Sequence, residues 1–291
     1  MSIEQITVSA ADAGPYAITT GPDGALWFTL VHSAAIGRLV PGEQPAIHPV
    51  SPGSGPTIIT PGPDGALWFT EYRSHRIGRI TVAGKITSVP LPTPECGPFG
   101  ITAGADGALW CTLTTADRIA RITTDGAVTE FSLPVTGAFP SAITAGPDGA
   151  LWFTLNQANA IGRITTAGDL TLHPLPTDVA APVGITAAPD GTLWFVEIGA
   201  GQIGRITPDG EITEFPLPDP AARPHAITTG ADNALWFTEW GANRIGRITP
   251  TGTITTHDLP TPNSEPHGIT LGPDGALWAA LEIGALARIS H

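Results

Sequence analysis

Apolar and polar residues alternate with a period of two along most of the chain, and no stretch carries the 3.6-residue period of an amphipathic helix. Segments such as Leu-Trp-Phe-Thr at 151–154 and Ile-Thr-Glu-Phe at 212–215 are short, rich in β-branched and aromatic residues, and bounded by turn residues. Asp-Gly between two such runs is a hairpin signal, because glycine enters positive φ without steric cost. The pattern predicts short antiparallel strands joined by tight turns.

It also repeats. Trp27, Trp68, Trp110, Trp152, Trp194, Trp236 and Trp278 recur every 41 or 42 residues, most within a segment like Gly-Pro-Asp-Gly-Ala-Leu-Trp-Phe-Thr at 146–154. Ile-Gly-Arg-Ile follows in most units, as at 77–80 and 245–248, and then a second turn such as Asp209-Gly210. Each unit predicts four strands: a (Ala-Ile-Thr), b (Leu-Trp-Phe-Thr), c (Ile-Gly-Arg-Ile) and d (as in Ile212 to Leu217). Four strands per unit of ~40–45 residues is the size of a propeller blade. The prediction is an all-β, seven-bladed β-propeller with four-stranded antiparallel blades. No Trp-Asp pair of the WD40 type occurs.

A length of 291 residues suggests two domains, but the unbroken repeat predicts one, over residues 1–291. The last unit ends after strand c at Ala287 to Ser290, and Ile3 to Val8 matches the strand d pattern of Val128 to Leu133. Residues 1–10 are therefore expected to supply the outer strand of the final blade and close the ring without an exposed edge.

Charge narrows the partners. Thirteen basic residues face 26 acidic ones, a net charge of −13, and Lys85 is the sole lysine. This balance argues against nucleic acid and against an anionic membrane surface. No apolar run approaches the ~18 residues of a membrane span, and residues 1–5 lack a basic-then-apolar leader, so a cytoplasmic location is expected. Cys96 and Cys111 form no CxxC pair and are expected to be free thiols.

The repeat also separates scaffold from chemistry. Arg38, Arg79, Arg121, Arg163, Arg205, Arg247 and Arg288 recur in every blade, as do the turn residues Asp23, Asp64, Asp106, Asp148, Asp190, Asp232 and Asp274. Sevenfold recurrence is expected of folding elements, so the arginines are read as partners of local carboxylates or carbonyls. The aspartates are read as turn residues. Diversity falls on the face carrying the d–a and b–c loops. There the residue after the proline that opens strand a is Tyr16, Thr57, Phe99, Ser141, Val183, His225 and His267 in turn, a register expected to point at the channel mouth. Glu265 precedes His267 by two residues, and Glu282 lies in the b–c loop of the same blade. Two imidazoles and two carboxylates are thus expected to converge, a grouping typical of sites. His32, Glu71, Tyr72, Arg73, His75, Glu197, Glu239 and Trp240 read as rim, with Tyr72 and Glu197 the stronger contributors, while His48, His173 and His257 on strand d read as solvated.

Two carboxylates without cysteine suit a hard cation such as Mg²⁺, which keeps waters and leaves positions for substrate oxygen. No His-Glu-x-x-His and no Gly-x-Ser-x-Gly occurs. A metal beside a neutral histidine can support removal of a proton α to a carbonyl, with elimination if a leaving group sits β to that carbon. The same parts could instead activate water for lactone hydrolysis. A mouth that binds a ligand or protein without catalysis is the remaining reading.

The Gly-Pro-Asp-Gly-x-Leu-Trp-Phe-Thr blades, with Pro-His225-Ala-Ile-Thr, Glu265-Pro-His267-Gly-Ile-Thr and Ala-Leu-Glu282, closely resemble the virginiamycin B lyase (streptogramin B lyase) family over essentially the whole chain. The resemblance implies a Mg²⁺-dependent carbon–oxygen lyase, monomeric, that confers antibiotic resistance. It would linearise a small-molecule substrate, cyclic streptogramin B depsipeptides, by elimination at the ester. It further implies His267 as general base, Glu265 and Glu282 as metal ligands, and His225 and Tyr16 as substrate-contacting residues.

Overall fold

The computed structural model describes residues 1–290, and among them are twenty-eight β-strands, β1 to β28 in chain order, with a single 3₁₀ turn at Trp240–Ala242. The strands form seven four-stranded antiparallel sheets. Six sheets take consecutive strands in order. The seventh joins the chain ends, in the order β1 (Ser2–Thr7), β28 (Ala285–Ser290), β27 (Leu277–Leu281), β26 (Pro266–Leu271). Innermost strands of successive blades pack side by side around the ring, including β26 against β2 (Pro15–Thr20), so the architecture is a closed seven-bladed β-propeller. No helix among the described residues is long and apolar enough to cross a membrane.

Strand b is buried along its whole length in every blade, and its tryptophan is at most 1% exposed. An indole buried this deeply needs a partner for its N–H. In six blades the turn aspartate provides it: Asp23 Oδ1 accepts from Trp27 Nε1 at 3.0 Å while Oδ2 accepts from Arg38 Nε at 2.8 Å. The same three-way contact recurs at Asp64, Asp106, Asp148, Asp232 and Asp274. Blade 5 departs from it. Thr192 accepts from Trp194 at 3.0 Å, Asp190 bonds Thr192 instead, and Arg205 turns to the Pro250 carbonyl. The recurring arginines and aspartates therefore act in the scaffold, as their repetition suggests.

The strand d histidines are not solvated as expected. His48, His173 and His257 stack on Trp27, Trp152 and Trp236 at ring separations of 5.9, 5.5 and 6.4 Å, where Phe131 and Phe215 stack on Trp110 and Trp194. A flat ring covers the tryptophan in these five blades, while Val89 and Ile6 stand at the same register in the other two. Cys96 and Cys111 are buried free thiols.

A bulge next to the channel sets the aim of the functional register. In every blade the pairing of strands a and b shifts between the opening proline and the isoleucine three residues on, for example Pro224/Ile227 and Pro266/Ile269. Bulges re-aim side chains in this way. The strand b threonine holds the bulge. Thr238 Oγ1 accepts from Ala226 N–H at 3.0 Å and donates to the His267 carbonyl of the next blade at 2.7 Å. Thr29, Thr70, Thr112 and Thr154 make the same bridge.

The glutamates at the end of strand b are buried, not rim residues. Glu71, Glu197 and Glu239 are 2%, 0% and 1% exposed. Their cross-strand neighbours are Arg76, Gln202 and Arg244. Gln202 cannot neutralise Glu197, and Glu214, held by Thr177, lies against it. Burial first, and the Glu214 charge second, push the Glu197 carboxyl up to about 8.

Two predictions follow from this architecture. Deleting residues 1–9 removes Ile3, Ile6 and Val8 from the closing blade. At about 1.5–3 kcal/mol per fully buried aliphatic side chain, chemical denaturation should register a loss of at least ~3 kcal/mol. Glu197 binds its proton more tightly folded than unfolded, so its contribution is complete in acid and is lost as pH rises toward 8. The melting temperature should fall between pH 6 and 8.5, and Glu197→Gln should flatten that slope.

Candidate active site

Seven left-handed residues ring the mouth, each directly before the proline that opens strand a. Gly14, Gly55, Gly97, Phe139, Ala181, Arg223 and Glu265 have φ between 49° and 67°. Glycine takes this conformation freely, whereas other residues pay roughly 1–2 kcal/mol each. Strain of this kind concentrates at functional positions. Four blades accept it, and blade 7 places Glu265 there.

The same blade places the other groups. Glu282 sits in the b–c loop, and its backbone N–H reaches the carbonyls of Ser264 and Glu265 at 3.0 and 3.3 Å. His267 lies within the bulge of β26, is 8% exposed, and points Nε2 at Glu282 Oε2, 2.7 Å away. From blade 6, at the same register, the His225 ring lies 4.9 Å from that of His267. Tyr16 of blade 1 covers both, 4.5 Å from the His267 ring and with its hydroxyl 3.4 Å from His225 Nε2. All five residues singled out in the sequence are brought together.

The electrostatics sort these groups. Burial, reinforced by His267, lowers His225 to about 3, so its imidazole is neutral at ordinary pH. Tyr16 is pushed well above the usual phenol range by burial and by the Glu282 charge, so it keeps its proton and can donate to His225. The hydrogen bond from His267 holds Glu282 below the usual carboxyl range, with a further one from His32. Glu265 moves the opposite way, because it shares a hydrogen bond with the ionised Glu282. Two carboxyl groups this close require a proton or a cation between them. Ligand atoms of Glu265, His267 and Glu282 all lie within 4.8 Å of one another. The two carboxylates suit a divalent cation of the Mg²⁺ type that keeps waters in its remaining positions.

One residue of the site was misplaced by the sequence reading. His32, assigned to the rim, donates through Nε2 to Glu282 Oε1 at 2.7 Å. Gly14 makes room for it: a Cβ there would stand 2.4 Å from the His32 ring. The signal available was the glycine at a ring position facing a blade 1 histidine, but contact between blades 1 and 7 appears only once the ring closes. Glu197, expected to contribute, points into its own blade instead, toward Gln202 and Glu214. Tyr72 does reach the mouth, edge-on to Phe99.

Beside the polar cluster opens a cavity of about 480 Å³ over the channel. Phe99, Phe139, Val183, Ile198 and Ile58 wall it, with Tyr16 and His225 at its polar end. That volume suits a mid-sized organic ligand with apolar groups.

The chain is similar over nearly its whole length to proteins of known structure. A streptogramin B lyase structure superposes with a TM-score of 0.96 at 48% identity, covering 99% of this chain and 96% of the other. A catalytically inactive variant of virginiamycin B lyase from Staphylococcus aureus, solved with quinupristin, superposes with a TM-score of 0.95 at 45% identity, covering 99% and 98%. The virginiamycin B lyase of Streptomyces coelicolor is 65% identical over 50 residues, a match that spans 17% of this chain and 17% of that relative. The model of the virginiamycin B lyase family matches residues 1–289, and the chain belongs to that family.

Proposed function

We propose that this protein is a lyase that opens cyclic depsipeptides of the streptogramin B class at their ester bond by elimination. The observation that carries this reading is the hydrogen-bonded pair His267–Glu282, 2.7 Å apart, set beside a neutral His225 at the polar end of an apolar cavity. Family membership and the likeness to the enzyme solved with quinupristin support the substrate class.

The chemistry follows from the proton positions. A carboxylate only accepts, so Glu282 fixes the hydrogen of His267 on Nε2. As general base, His267 takes the proton from the carbon α to a substrate carbonyl. The electrons form the Cα–Cβ double bond, the Cβ–O bond breaks, and the ester oxygen leaves with its acyl group as a carboxylate. Glu282, ionised and already bonded to His267, stabilises the imidazolium that results. Tyr16 and His225 stay uncharged and can orient the substrate by hydrogen bonds. The apolar wall excludes water, which favours elimination over hydrolysis. Glu265 and Glu282 would hold Mg²⁺, whose charge, when bound, favours enolate character at the substrate carbonyl.

Mass spectrometry of a streptogramin B incubated with the protein and Mg²⁺ tests the reading. Elimination gives a linear product of unchanged mass; a product one water heavier identifies a lactonase, and no product identifies a binding module. His267→Ala should lower kcat by ~10²–10⁴-fold while leaving the melting temperature nearly unchanged. Glu282→Gln should weaken Mg²⁺ binding, read by calorimetry, by at least about tenfold.

A further inference from the structure

The ring register that places the two acidic groups in blade 7 holds a different pair in blade 6. Glu282 N–H bonds the Glu265 carbonyl, and in the same way Trp240 N–H bonds the Arg223 carbonyl at 3.1 Å. Arg223 and Trp240 are therefore the structural counterparts of Glu265 and Glu282 one blade away. Arg223 adopts φ 50° although it is not glycine, a conformation kept at a cost. Its guanidinium lies over the Trp240 ring, 5.6 Å from the centroid. Stacking on an indole fixes the plane of the fork and leaves its N–H groups free to donate.

No residue among those described accepts from this arginine. Six of the seven scaffold arginines face an aspartate, as Arg247 faces Asp232, Arg205 bonds the Pro250 carbonyl, and Arg244 is held by Glu239 and Asp219. Arg223 is exposed, and with Trp240, Asn243, Asn263 and Glu265 it lines a cleft of about 400 Å³. Asn243 is already committed, donating to the Thr261 carbonyl and accepting from Ser264 N–H. Trp240 Nε1 lies near the Glu265 carboxyl without a hydrogen bond of its own. Glu265 is thus shared between this cleft and the His267–Glu282 cluster.

We propose that Arg223, oriented by Trp240, is the subsite for the carboxylate released from the substrate. This inference rests on the elimination reading above. Cleavage of the Cβ–O bond turns a neutral ester into an anion, and it does so next to Glu265 and Glu282 in a protein of net charge −13. Mg²⁺, when bound, would offset part of that charge, and a cation on the protein beside the two carboxylates would hold the released anion. Arg223 is the unpaired cation in the cleft that Glu265 also walls, and its fork matches a carboxylate in two parallel hydrogen bonds. Because the charge develops as the bond breaks, the contact strengthens in the transition state and should act on kcat more than on KM.

The probe is the linear acid obtained by saponifying a streptogramin B, compared with its methyl ester, each titrated calorimetrically with Mg²⁺ present. The acid should bind the native protein more tightly than the ester. Arg223→Ala should lose about 10–100-fold in acid affinity with the ester unaffected, and Arg223→Lys should recover part of it. Arg163→Ala, a scaffold change, should leave both affinities as they were. With the intact depsipeptide, Arg223→Ala should lower kcat with little change in KM. Equal binding of acid and ester by the native protein, or an equal loss of both in Arg223→Ala, overturns the proposal. A native protein that prefers the acid through Arg223 yet forms no isomeric product would keep the carboxylate subsite and overturn the elimination reading instead.

Discussion

The arrangement of the candidate site depends on one hydroxyl group. Thr238 Oγ1 accepts from the amide next to His225 and donates to the carbonyl of His267, so it ties the bulges of two blades together at the point where both imidazoles emerge. Without a bulge, strand alternation would leave each such residue within the strand's usual pleat. Without the threonine, the bulged amide would be a buried donor lacking a partner, which costs about 1–3 kcal/mol. The same bridge runs through five blades and is missing where Val196 and Ala280 replace threonine. The link between blades 6 and 7, where the histidines stand, is retained.

Strand periodicity and the tryptophan spacing were enough to read the blades, because each repeats one local solution seven times. The register of His225 and His267 was legible for the same reason: aligned units show which positions vary. What local pattern could not show was depth. Glu71, Glu197 and Glu239 look like loop-end carboxylates in the sequence, yet the sheet buries them, because their position ends a wholly buried strand b. His48, His173 and His257 look solvent-facing on an outer strand, yet each stacks on the face of a buried tryptophan. His32 was the hardest to place, since its partner Glu282 is 250 residues away in the chain.

The mouth divides its labour by blade. Blades 2 to 5 present Tyr72, Phe99, Phe139, Val183 and Ile198, a surface for apolar groups. Blades 6, 7 and 1 carry the titratable groups. The ring of left-handed residues divides differently, with glycine in blades 1 to 3 and side chains in blades 4 to 7. A single backbone solution thus serves as a socket into which blades 4 to 7 set four different side chains.

The closing strand has a consequence for how the protein fails. The carbonyl of Gly284, two residues beyond Glu282, accepts the amides of Val8 and Ser9, and His32 reaches Glu282 from across the same junction. The acidic loop is therefore fastened by the segment that zips the two ends of the polypeptide. If that zip opens, the Glu282 loop loses its fastening at Gly284 before any other blade need loosen. Turnover would then disappear at the first breach of the circle, well ahead of general unfolding, and would serve as the earliest gauge of its integrity.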